Sequence, residues 1–265
     1  MRAKLLITVV ALLPVVHATL AQQKRLSKLE ISKKETFVVG PENVLKVDTL
    51  ILHDKATLQF APRQQGVLEA KVAYVGKKCL ITSKGKDGEP GKGEQFGTNG
   101  ENGGDLSLVL GFEKLGSLTI DTRGGNGGDG ANGKNGYVGE EPRTETRTVK
   151  DSKGNFKTEV VSVPGKPGTK GSDATMGGSG GSGGNIMFVY STSGFIPIFN
   201  NEQRDRNSII VLHTAGTNGI SGFPGRGGFQ SQDGVVRYKE VEPGRDGELM
   251  LVNADQEASL TQAEE

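Results

Sequence analysis

The side chains with chemistry to offer are few. The 265 residues contain three histidines and one cysteine, and the 32 Lys and Arg nearly balance the 31 Asp and Glu. His17 sits in an apolar leader, and His53 and His213 lie 160 positions apart, at a strand corner and a strand end. Neither has a cysteine or a paired carboxylate beside it, so both are expected to be surface residues rather than metal ligands or an acid–base pair. Cys79 alternates with Ile81 and reads as a small core residue rather than a nucleophile. As a lone cysteine it excludes an intrachain disulfide and a multi-cysteine zinc site. The segment Gly124-Gly125-Asn126-Gly127-Gly128-Asp129-Gly130-Ala131-Asn132 approaches the calcium-binding nonapeptide. That motif works in tandem copies with a large apolar eighth residue, whereas here there is one copy with Ala131 in that place, so no metal or cofactor is expected. Residues 130–136 lack the Lys-Ser/Thr ending of a phosphate loop. Asp105 and Asp121 border glycine-rich segments and read as turn or edge residues rather than as part of a carboxylate cluster. No catalytic residue is assigned.

The elements that would position these residues are short apolar runs at 44–60, 67–82, 105–121, 185–199 continued by 208–213, and 248–253. Leu106, Leu108, Leu110 and Phe112 share one face while Asp105 and Ser107 take the other, and Leu118 and Ile120 alternate with Ser117 and Thr119. Period two predicts strands. One unit is two short strands around a polar corner, as in 49–52, then His53-Asp54-Lys55, then 57–60. Units of about twenty residues, each too small for its own core, predict stacked coils. The expected fold is all-β, a short right-handed β-solenoid with Leu108, Leu110, Leu118 and Ile120 in its inner column. Met187 and Val189 interrupt the alternation, which keeps a two-sheet sandwich as the alternative.

Between the strands, glycine recurs at every third position. Gly85, Gly88, Gly91, Gly97, Gly100 and Gly103 share a frame broken only by Glu94, and Gly124, Gly127, Gly130, Gly133, Gly136 and Gly139 run unbroken. Gly165, Gly168, Gly171, Gly177, Gly180 and Gly183 form a third run with Ala174 substituted; Gly216, Gly219, Gly222, Gly225 and Gly228 form a fourth, followed by Gly244 and Gly247. A flexible linker would carry no such phase. A three-residue period fits the polyproline II helix, in which every third residue lies on one edge and glycine there lets a neighbouring backbone approach. The runs are short and poor in proline, which disfavours a collagen triple helix and favours a bundle folded from one chain. Residues 124–128 and 177–184 carry glycine on two edges, as interior members of a bundle would. Each run leaves after a strand and returns before another, so the bundle is expected to be antiparallel, with excursions at 85–104, 124–184 and 216–247. At about 3.1 Å per residue the longest arm spans about 47 Å. Gly88, Gly100, Gly127, Gly130, Gly133, Gly168, Gly180, Gly183, Gly219 and Gly222 are expected to carry the packing.

The first residues supply an address. Arg2 and Lys4 precede an apolar run from Leu5 to Val16 with small residues at Ala18 and Ala21, which predicts a signal peptide over 1–21. The run is too short for a membrane span and holds Pro14. Coils and excursions then fill 22–253, ahead of a polar tail at 254–265. The near-zero charge gives no field to draw the whole chain onto nucleic acid.

The alternation of coils with runs such as 124–139 and 165–184 resembles the glycine-rich, collagen-like exported proteins of Bacteroidota and other Gram-negative bacteria, over nearly all of the chain after the leader. The glycine runs alone resemble the polyglycine II bundles of phage tail-tip adhesins and of one class of antifreeze protein. In the adhesins, recognition lies in the variable loops at the bundle tips, so the resemblance implies display of loops and transfers no binding residue by position. Residues 140–164 read as a tip hairpin, with β-formers at 144–150 and 155–163 around Asp151-Ser152-Lys153-Gly154. Its charges balance. Phe96, Phe156 and Tyr238 fall near the reversals and, with Arg147, are the candidate tip contacts. The expectation is an exported, periplasmic or surface-located, non-catalytic structural protein of adhesin type, with a surface glycan or protein as partner and no nucleic acid or membrane span. A polysaccharide-acting enzyme and an ice-binding protein are the alternatives.

Overall fold

The computed structural model describes residues 25–200 and 206–255. The leader and all but the first residues of the tail lie outside them. Sixteen strands occur among the described residues. The first eight come in pairs: β1 (Leu26–Ile31) and β2 (Thr36–Val38), β3 (Val44–Leu52) and β4 (Thr57–Gln59), β5 (Gly66–Val75) and β6 (Cys79–Thr82), β7 (Leu106–Leu115) and β8 (Ser117–Asp121). The others are β9 (Arg143–Lys150), β10 (Phe156–Val163), β11 (Ala174–Thr175), β12 (Ile186–Thr192), β13 (Ile198–Phe199), β14 (Ser208–Leu212), β15 (Val236–Arg237) and β16 (Leu249–Asn253).

The paired strands sort into two six-stranded sheets, in the orders β1-β3-β5-β7-β12-β16 and β13-β14-β8-β6-β4-β2. Within both sheets every pairing is parallel. The first strand of each successive pair stacks in one sheet and the second in the other, an all-β arrangement compatible with a β-solenoid. A sandwich of antiparallel sheets, the alternative left by Met187 and Val189, is excluded by these pairings. Met187 is exposed on the outer face, and its neighbours Ile186 and Phe188 are buried.

Register turns alternation into columns. Leu58 stands beside Ile81, Ile81 beside Ile120, and Ile120 beside Val211. Leu68, Leu108 and Phe188 form a second column from the facing sheet. All are buried, and Leu108, Leu110, Leu118 and Ile120 are no more than 1% exposed. Parallel in-register stacking needs each inward position to be apolar in every coil, because a residue's neighbours are its own equivalents above and below.

Two strand pairs were not among the sequence runs, the two-residue pair β11 and β15 and the pair that opens the stack. β1 and β2 form the first coil, and β1 has one sheet neighbour, β3. An edge strand needs only an inward residue or two, here Leu29 and Ile31, so its apolar pattern is thin.

The two corners of the coils differ. On one side β2 passes to β3 and β4 to β5 through short turns, the first held by Asn43, which adopts φ 56° and is fully buried. Its amide donates to the carbonyls of Ala61 and Gln64 at 3.0 and 2.9 Å and accepts from the Ala61 N–H at 2.8 Å. At the same corner the later coils instead send out the long glycine-rich segments, between β6 and β7, β8 and β12, and β14 and β16. No helix among the described residues is long and apolar enough to cross a membrane.

Candidate functional site

The glycine segments reach their far ends through a lattice of backbone hydrogen bonds with a period of three. Gly85, Gly88 and Gly91 donate to the carbonyls of Arg123, Asn126 and Asp129, and Gly97, Gly100 and Gly103 donate to Met176, Ser179 and Ser182. Gly124, Gly127, Gly130, Gly133 and Gly136 donate to Thr214, Thr217, Ile220, Phe223 and Arg226 at 2.8–3.1 Å. Numbers that rise together mean parallel segments. Gly178 and Gly181 donate to Gly128 and Gly125, and Gly216, Gly219 and Gly222 to Gly181, Gly178 and Thr175, so these pairs are antiparallel. Gly168 donates to Phe229, Gly183 to Arg245, and Gly180 to the Asn218 side chain.

Glycine is required by approach rather than by conformation. A Cβ at Gly127 would collide with the Gly178 carbonyl, and one at Gly128 with the Glu89 carbonyl. Neither residue has a positive φ. Adjacent glycines thus let two neighbouring segments in, one on each edge. Ala174 fits where the frame calls for glycine, because β11 there pairs in parallel with β15 and the side chain is fully buried.

Sequence reasoning missed a second ladder, made by the residue two after the glycine in the runs Gly97–Gly103 and Gly124–Gly133. The Oδ1 atoms of Asn126, Asp129, Asn132 and Asn135 accept from the N–H groups of Thr217, Ile220, Phe223 and Arg226 at 2.8–3.0 Å. Asn99, Asn102 and Asp105 do the same for Ser179, Ser182 and Asn185. The repeat is therefore Gly-x-Asn/Asp, visible in the sequence once the side chain is seen as a cap for an amide of the neighbouring segment. In the stretch that approaches the calcium nonapeptide, Asn126, Asp129 and Asn132 are engaged in this way. Among the described residues no group of three or more His, Cys, Asp and Glu is arranged to hold a metal.

At the far ends the chain reverses. The first reversal has Gln95 donating to Lys92 and Gly93 at φ 61°. The second is the antiparallel hairpin of β9 and β10, turned by Asp151, whose Oδ1 accepts from the N–H groups of Lys153 and Asn155. Those N–H bonds, Asn155 foremost, hold the Asp151 carboxyl below its usual range. The third crossing contains β15.

The first and third reversals meet. Arg237 and Lys239 sit 5.5 and 5.9 Å from the centre of the half-buried Phe96 ring, Lys239 donates to the Gly97 carbonyl, and the Thr175 hydroxyl donates to Gln95. Beside them opens a groove of about 720 Å³ with Lys134, Lys170, Asp173, Glu94 and Arg237 on its walls. The Val235 N–H bound to Asp173, with Lys170 nearby, holds that carboxyl below its usual range. Tyr238 stands next to this cluster in sequence and is 79% exposed. Arg147 and Phe156 lie on the hairpin: Arg147 shares Glu145 with Arg143, and Phe156, 77% exposed, carries the Lys150 ammonium 5.6 Å from its ring centre. Of the four candidates, then, Phe96 joins a cluster built from two reversals and the hairpin pair forms a separate surface.

The remaining chemical residues sit in structural contacts. His53 bonds Glu30 at 2.8 Å, which together with Lys28 holds that carboxyl down to about 2. His213 Nδ1 lies 2.8 Å from the Gly247 carbonyl, Cys79 is fully buried with its thiol pushed up by burial, and Asp121 is forked by Arg123 at 2.9 and 2.7 Å. No family model matches the chain, and no curated protein or solved structure matches it either.

Proposed function

We propose that the chain is an exported, non-catalytic structural protein of adhesin type, in which right-handed β-solenoid coils carry a bundle of polyglycine II helices that holds loops for contact with a surface glycan or protein. The observation that carries this reading is the period-three lattice: five successive donors from Gly124 to Gly136 bond one neighbouring segment while Gly178 and Gly181 bond back to the same run from another side. Each segment supplies the partners that a polyglycine II helix cannot find within itself. The likeness to glycine-rich, collagen-like exported proteins belongs to the same proposal, as does cleavage after Ala21. So much backbone fixed by hydrogen bonds suits a stiff support better than a mobile active site.

The test replaces 140–164 by a short turn and compares it with the parent chain on immobilised glycans and cell-surface extracts. Loss of retention with an unchanged urea midpoint supports recognition by the hairpin, with Arg147 and Phe156 as its contacts. Retention that survives hairpin removal and is lost on Phe96→Ala moves recognition to the joined reversals. A parent chain that binds nothing in the screen removes the adhesin reading and leaves the scaffold alone.

A further inference from the structure

The corner opposite the glycine segments holds a column in which cations outnumber carboxylates. The turns there are Lys33-Lys34, Asp54-Lys55, Lys77-Lys78, the single residue Gly116 and Arg206-Asn207, and register stacks the first three directly, since Ile31 pairs with Leu52 and Leu52 with Val75. Bonds between rungs fix them: the Lys34 N–H donates to Asp54, Lys55 to Lys77, and Lys78 to the Ser117 hydroxyl. Rungs of a parallel sheet stand about 4.8 Å apart.

Two features set this column apart from ordinary surface charge. On the sheet face, basic residues pair across coils: Arg25 and Lys46 with Glu69, and Lys71 with Asp48, each at 2.8 Å. At the corner, Lys33, Lys34, Lys55, Lys77, Lys78 and Lys114 have no ion-pair partner within 4.0 Å among the described residues. Asp54 is the carboxylate in their midst, and the Lys77 N–H it accepts, with the Lys33 and Lys77 charges, holds it below its usual range. The second feature is conformational. Lys34, Lys55 and Lys78 adopt φ of 64°, 63° and 56°, a region that favours glycine or asparagine and that Asn207 adopts at a later turn of the same corner and Asn43 at the opposite corner. Turn chemistry alone gives no reason for three stacked lysines there, and like charges in adjacent rungs repel. Beside the column opens a groove of about 470 Å³ lined by Tyr74, Ile51, His53 and Asp54 together with Lys33 and Lys114.

We propose that this corner binds a linear anionic polysaccharide, with the lysine rungs meeting successive acid groups and Tyr74 offering a ring face to a sugar. A polysaccharide fits better than single-stranded nucleic acid, which needs a series of stacking rings where this groove has one tyrosine. The site stands apart from the tip loops, so the proposal does not rest on them.

Affinity electrophoresis through polygalacturonate, with dextran as the neutral polymer and poly(dT) as the nucleic acid, tests it. The variant combines Lys34→Asn, Lys55→Asn and Lys78→Asn, since asparagine keeps the turns. It should bind polygalacturonate at least about tenfold more weakly, with a log–log salt slope shallower by about two, and Lys114→Ala should weaken binding without any change in fold. The chain with a shortened hairpin should bind as the parent does. Equal retardation by dextran, tighter binding of poly(dT), or a triple variant that binds as the parent does overturns the proposal.

Discussion

Gly127→Ala isolates the packing of the glycine segments from their conformation, because Gly127 has no positive φ and alanine loses nothing by backbone strain there. The added Cβ would collide with the Gly178 carbonyl and lie 2.8 Å from the Ser179 oxygen, where ordinary contact begins near 3.4 Å. Both atoms are backbone in a segment tied on several sides, so no flexible side chain can swing away. Segments 122–139 and 165–184 must part, and the bonds nearest the collision are Gly178 N–H to Gly128 and Gly181 N–H to Gly125, both 2.8 Å. Gly178 and Gly181 are buried, so each stranded donor costs about 1–3 kcal/mol and the substitution about 2–6 kcal/mol. Urea unfolding followed by circular dichroism measures the total, and hydrogen exchange at the Gly178 and Gly181 amides should accelerate. Gly40→Ala is the control, since nothing lies within 4 Å of a Cβ there and its φ is not positive; it should change stability by less than about 1 kcal/mol. A Gly127→Ala chain as stable as the Gly40→Ala chain, with unchanged exchange, refutes close backbone packing as the reason for the glycine period.

Leu110→Ala, at 1% exposure between coils, should cost about 2–5 kcal/mol in the same unfolding assay. Asn132→Ala removes the side-chain acceptor of the Phe223 N–H and should cost about 0.5–1.5 kcal/mol, with Phe223 the amide whose exchange rises most. Glu30, held down to about 2 chiefly by its bond to His53, has a folded value below its unfolded one of about 4.5. Its contribution to the first coil is therefore complete above pH 4.5 and is lost as pH falls toward 2. Carboxyl carbon shifts should report that titration, and Glu30→Gln should flatten the acid limb of the stability curve.

Periods of two and three were legible because each is set by the local backbone. A strand turns alternate residues to one side, so Leu106, Leu108, Leu110 and Phe112 declare a buried face, and a three-residue turn needs glycine on the edge that meets a neighbour. The sequence by itself therefore determined that the fold is all-β and which leucines are buried. It did not determine partners. Asn126 and Thr217 are 91 residues apart, Asn99 and Ser179 are 80, and Phe96 meets Arg237 across a still longer gap. Which segments meet is fixed by the height at which each leaves the stacked coils, a property of sheet order and not of local pattern. The same holds for Lys34, Lys55 and Lys78, which read as three unrelated turn residues until parallel register sets one above the other. Only the tertiary structure turned separate polar positions into a ladder and a charged column, because the spacing that joins them is the distance between coils and not between residues.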